Sequence, residues 1–137
     1  MVDERDVRRV RVALLVALGI FVLVFALPVI GFYVAEWRFT VAAEEAAGRY
    51  AVLFAERAVQ RWESVADPVA EADEALAEVR VRATAPGSPV VTVEAVADRG
   101  SFLGSGGVVV RCFSVAFAAP PQGGRVTHAV EPLGACD

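Results

Sequence analysis

The chain has 137 residues, 56% of them hydrophobic, and its 13 Arg against 17 acidic residues, without any Lys, leave a formal net charge of −4. That balance speaks against nucleic acid as a partner, because neutralising phosphates is what drives such binding. With one His and two Cys the stock of metal ligands and general acid/base groups is thin.

Residues 1–11 carry Arg5, Arg8, Arg9 and Arg11 among three acids, and the 24 residues from Val12 to Ala35 that follow contain no charged side chain. At ~1.5 Å per residue a helix of this length crosses a hydrocarbon core of about 30 Å with some tilt, and a helix satisfies its own backbone there. Arg resists translocation, whereas acids count little for orientation. Four Arg precede the segment, and only Arg38 and Arg49 lie shortly after it. The expectation is therefore a cytoplasmic segment 1–11, a transmembrane helix 12–35 and an extracytoplasmic domain 36–137, with the bilayer as the first partner. The competing reading is a signal peptide cleaved after Ala26, for which Val24-Phe25-Ala26 offers small-residue spacing. Against it stand the length of the apolar run and the Leu27–Val34 stretch that cleavage would leave on the product. Tyr33, Trp37 and Arg38 suit the interface.

Beyond the span, Ala43, Ala47, Tyr50, Phe54, Ala58, Trp62 and Val65 recur at three- and four-residue steps, opposite Glu45, Arg49, Glu56, Gln60 and Glu63. This is the pattern of an amphipathic helix. It either continues the membrane helix or starts afresh near Phe39-Thr40. Asp67-Pro68 ends it and caps a short helix over Pro68–Ala77. The acids Glu71, Asp73, Glu74 and Glu78 read as a solvated helix face, since the glycine an EF-hand turn needs is missing.

From Glu78 the period falls to two, the mark of strands. A three-residue turn at Pro86-Gly87-Ser88 sets Arg80 across from Glu94, Val81 from Val93 and Arg82 from Thr92. Asp98 to Gly107 is a glycine- and serine-rich loop. It lacks the Lys of a phosphate-binding loop and the spacing of a nucleophile elbow. Val108–Ala118 is apolar on both faces, as a central strand would be, with Arg111 out of place on the Val109/Phe113/Val115/Phe117 face. Gly124–Glu131 supplies a fourth strand. Pairing Phe117 with Arg125 puts Cys112 opposite Val130, so the tail from Pro132 must fold back over the sheet for Cys136 to reach Cys112. A Cys112–Cys136 disulfide suits an oxidising exterior and restricts the unfolded chain by roughly 3–4 kcal/mol in the chain-entropy model.

The fold class expected is thus α+β, an N-terminal transmembrane helix followed by a helix packed on a four-stranded antiparallel sheet. His128 sits on a strand between Val126 and Val130, and no spacing ties it to Ser101, Ser105, Ser114 or Asp98 as a triad. No cofactor or catalytic residue is read, and the chain is expected not to be an enzyme. The leading reading is a binding or scaffolding protein whose partner is another envelope or membrane protein. The alternative is a small-molecule or lipid-binding ectodomain with a helix–sheet cavity lined by Tyr50, Phe54, Phe113 and Phe117. An extracytoplasmic hydrolase ranks third.

Gly31-Phe32-Tyr33-Val34-Ala35-Glu36 imitates a prepilin processing signal, but in type IV pilins the apolar helix follows that signal and here it precedes it. The usage of residues, with no Lys, no Asn, 25 Ala, 26 Val and 13 Arg, together with the single-span layout, resembles uncharacterised small single-pass membrane proteins of high-GC Gram-positive bacteria. That resemblance implies an exported or cell-envelope setting and no activity. Homo-oligomerisation through the span is a further expectation, carried by the small pairs Ala13/Ala17 and Gly31/Ala35 at four-residue spacing. Replacing Ala13 and Ala17 with Leu is expected to lower a genetic dimerisation signal in membranes. An unchanged signal removes this interface.

Overall fold

A computed structural model of the protein describes residues 3–84, 88–104 and 106–136. The backbone is helical from Glu4 to Gln60, in three parts: α1 (Glu4–Phe21), a π-helical turn (Val22–Ala26) and α2 (Leu27–Gln60). The Asp3 carboxylate caps the start, accepting from the Arg5 N–H at 3.4 Å. Pro28 explains the π turn. A proline inside a helix has no N–H to donate, and its ring collides with the carbonyl four residues earlier. Widening the preceding turn, with the Leu27 N–H reaching back to the Val22 carbonyl, relieves that collision.

The chain forms two compact units, Met1–Arg38 and Phe39–Asp137. In the first, none of the residues of α1 or the π turn is buried. This apolar helix is long enough to cross a membrane.

The second unit is α+β. Its helical part, the end of α2, turns Ala43, Ala47, Ala51, Phe54, Ala55 and Ala58 inward. The centre of this face is Ala51 and Ala55 rather than Tyr50, which is only half-buried. Five of these six buried residues are alanines, and Phe54, fully buried, is the large one. The helix ends at Gln60, so Trp62 and Val65 fall in the turn beyond it, where the Trp62 ring meets Phe117 at 5.1 Å between centroids. A short helix α3 (Pro68–Ala75) follows, two residues shorter than the Pro68–Ala77 expected. It is capped as its sequence predicts, the Asp67 carboxylate accepting from the Ala70 N–H at 3.0 Å.

Four strands, β1 (Val79–Thr84), β2 (Val90–Asp98), β3 (Val108–Ala118) and β4 (Thr127–Gly134), make an antiparallel meander in the order β1-β2-β3-β4. Alternation along β2 and β3 gives the core face: Val91, Val93, Ala95 and Ala97 beside Val109, Phe113, Val115 and Phe117. Arg111, on the same face, turns its guanidinium to Glu44 of α2 and donates to the Val110 carbonyl at 3.0 Å. Of the two ways to accommodate a guanidinium on this face, snorkelling past the core edge or pairing with a carboxylate, the structure shows the second.

Two registers depart from expectation. Arg80 opposes Glu94 and Val81 opposes Val93 as predicted, but a bulge between Val81 and Ala83 places Ala83, not Arg82, opposite Thr92. The extra residue lets Arg82 reach Glu94, Nε to Oε2 at 3.4 Å, and turns Thr84 into register with the core residue Val91. The turn between β1 and β2 predicted at Pro86-Gly87-Ser88 lies outside the described residues for Pro86 and Gly87, as does Ser105 of the later loop.

The second departure is larger. Phe117 pairs with His128 rather than Arg125, Val115 with Val130 and Phe113 with Pro132. An odd shift turns every side chain of a strand to its other face. The expected register set Arg125 against Phe117; the observed one sets Val130 and Pro132 against the apolar face of β3. The strand therefore runs on to Gly134, which pairs with Cys112, and the tail does not fold back. Cys136, two residues further, joins Cys112 in a disulfide with its Cα atom 5.2 Å away.

Phe54 has the least room for replacement. Phe54→Ala is expected to destabilise the domain by about 3–5 kcal/mol, read as a fall in the urea midpoint with the disulfide intact.

Candidate interaction surface

A helix about 10 Å across covers roughly two strands spaced at about 4.8 Å. Here the buried face of α2 shares one core with β2 and β3, and α3 lies against β1, with Val69 and Ala72 of the helix and Leu76 just after it packed on that core. Among the described residues β4 is the strand with no fully buried side chain: His128 and Val130 are half-buried and Pro132 is exposed. Between this strand and the outer flank of α2 runs a crease. Its widest part is an open groove of about 690 Å³ walled by Val52, Leu53, Phe113, Val130 and Pro132, with Glu45, Arg49 and Glu56 along the helix rim. Val52 is 38% and Leu53 48% exposed. The crease continues as a hollow of about 440 Å³ between Glu56, Val59 and Gln60 of α2 and Arg125 to His128.

The four aromatic residues expected to line a helix–sheet cavity are divided by the structure. Phe54 is enclosed in the core, Phe113 reaches from the core to the wall of the groove, Phe117 borders a separate hollow with Trp62 and Val91, and Tyr50 packs at the core margin. Space between helix and sheet is filled with side chains, and the open volume lies beside the helix. Hydropathy patterning could have found Val52 and Leu53, since they break the polar face of α2. The part played by Pro132 depended on the register of β4.

His128 lies opposite Phe117 on the helix side of the sheet. Ser114 pairs with Glu131 and so points to the other side. The Ser101 hydroxyl accepts from the Leu103 N–H at 3.3 Å within its own turn. These groups are not brought together into a triad. The acidic run is likewise dispersed: Glu71 pairs with Arg61 at 3.4 Å, and the Asp73 carboxylate accepts from the Val81 N–H at 2.8 Å. Asp73 thereby occupies a donor that the edge strand β1 would otherwise show to solvent. On the face away from α2, the Glu94 carboxylate comes within 4.8 Å of both cysteine sulfurs, a proximity set by the pairing of Glu94 with Cys112. Joined to each other, those sulfurs are not the thiolates a metal would need.

Comparison with protein-family models, curated proteins and solved structures finds no match for this chain.

Leu53 contributes its exposed side chain to the groove and little to the core. Leu53→Asp is therefore expected to change domain stability by no more than about 0.5 kcal/mol while reducing fluorescence of a hydrophobic dye bound to the folded domain. An unchanged dye signal places the accessible apolar surface elsewhere.

Proposed function

We propose that this chain is a single-pass, membrane-anchored binding or scaffolding protein of the cell envelope, with residues 1–11 in the cytoplasm, 12–35 crossing the bilayer and 36–137 displayed outside it. The observation that carries the anchor is the absence of packing around the apolar helix. Leu14, Leu15, Leu23 and Phe25 are all exposed, whereas a core helix of a water-soluble domain buries its apolar stripe. Burying apolar surface gains roughly 25 cal/mol per Å², and lipid is the medium that supplies this along the whole circumference. Orientation rests on the Arg distribution, and the disulfide suits an oxidising exterior.

Binding rather than chemistry is supported by what the domain assembles. It presents a preformed crease with an apolar floor and a mixed-charge rim, while its sole imidazole and its described serines point to different places. The partner we assign to the crease is another membrane or envelope protein. The groove volume favours one further reading, a small amphiphile or lipid, since about 300–1,000 Å³ is the usual size of small-ligand pockets.

Protease added to intact cells carrying an N-terminally tagged chain is expected to remove the C-terminal portion and leave a tagged membrane fragment. A fully protected chain overturns the orientation. Recovery from the medium of a product lacking residues before Leu27 overturns the anchor in favour of a cleaved signal peptide.

A further inference from the structure

Among the described residues, the two most exposed large apolar side chains are not in the apolar helix. They are Phe102, 70% exposed, and Leu103, 79% exposed, side by side in the loop between β2 and β3. This is a built turn. The Arg99 N–H donates to the Gly107 carbonyl at 3.0 Å and closes the base of the loop, and the Gly104 N–H donates to the Ser101 carbonyl at 3.2 Å. Ser101 to Gly104 thus form a tight turn with Phe102 and Leu103 at its two central positions, both largely exposed. Gly at the fourth position and Ser at the first are the residues such a turn favours.

The location of this turn within the domain is set by a second observation. The loop backbone lies flat on the ring of Phe39: a Cβ built on Gly100 would come within 2.8 Å of the Phe39 ring. Gly106 is tied just as closely, because a Cβ there would overlap the carbonyl oxygen of Arg99. Phe39 is the first residue of the domain and follows the last residue of the apolar span, Ala35, by four positions. At ~1.5 Å per helical residue that distance is about 6 Å. Within the domain the loop is therefore held against its first residue, Phe39, which in sequence follows directly on Trp37 and Arg38, a pair that suits a membrane interface.

We propose that the Phe102–Leu103 turn is a second membrane contact, seated in the headgroup and upper acyl region of the bilayer that the span crosses. The occupant of this apolar patch is a lipid surface. Two adjacent bulky apolar side chains at a loop tip, in a loop packed on a residue only four positions beyond the span, are of the kind that seats at a membrane interface. Neither residue belongs to the buried core of the domain. With one contact through the chain and another through the loop, the domain is restrained in tilt over the membrane rather than free to pivot. The inference rests on the membrane-anchor reading above.

The test uses the full chain reconstituted in phosphatidylcholine/phosphatidylglycerol vesicles. An environment-sensitive nitrobenzoxadiazole label is placed on Leu103→Cys and, for comparison, on Gln122→Cys in the exposed turn between β3 and β4. The native cysteines are disulfide-bonded and not labelled. The eleven residues of β3 separate the two loops, a distance of ~36 Å at about 3.3 Å per residue. The expected result is a vesicle-floating protein whose label at position 103 is blue-shifted and several-fold more strongly quenched by headgroup-region nitroxide lipid than the label at position 122. A floating protein with the same aqueous emission at both positions overturns the lipid contact and leaves the anchor standing. A blue shift that follows protein concentration and ignores nitroxide lipid assigns the turn to a second copy, and also overturns it. A chain that does not float overturns the anchor and this inference together.

Discussion

The fit of an alanine-faced helix onto two central strands organises the domain. Ala43, Ala47, Ala51, Ala55 and Ala58 form the buried face of α2 in one core with residues of β2 and β3, and Phe54 is the largest fully buried side chain of that face. Such a contact gains its stability from close packing and excluded water, and it has little tolerance for lost volume. It is also narrow. One helix covers two strands, so the two outer strands must be handled by other means.

Those means differ at the two edges. β1 is short, bulged and flanked by α3, and Asp73 accepts one of its outward N–H groups. These are common ways of keeping a sheet edge from pairing with a stranger. β4 carries Pro132, which has no N–H to offer and is tolerated because the strand is an edge. Its end is tied to β3 by the Cys112–Cys136 bridge. What remains open is the helix-facing side of β4, and this produces the crease. The candidate interaction surface is thus a direct consequence of a four-stranded sheet served by one long helix and one short one.

The helix itself changes character along its length without a break in its backbone. From Val12 to Ala35 it carries no charged side chain, and beyond Phe39 it is apolar on one side only. The π turn before Pro28 is the single irregularity, and it accommodates the proline without ending the helix. Within the domain, the turn carrying Phe102 and Leu103 packs through Gly100 on Phe39, the residue at which the domain begins.

Several of these features could be read directly from the residues. The uncharged run from Val12 to Ala35, the change of period at Glu78, the Asp67-Pro68 cap and the misfit of Arg111 on an apolar face all follow from local pattern, because span length, strand alternation and capping are set by neighbours in the chain. So does the pairing of Arg80 with Glu94, which one turn length implies. The bulge at Arg82, the register of β4 and the choice of Ala51 over Tyr50 for the buried face do not. Each was decided by which side chains meet across elements: Val130 and Pro132 against Val115 and Phe113 rather than Arg125 against Phe117. The sequence by itself determined the classes of the elements, their order and the two cysteines that join. Tertiary structure alone decided registers, the empty flank of α2 and the place of the Phe102–Leu103 turn, because those depend on packing between segments distant in the chain, where a shift of one residue reverses a whole face.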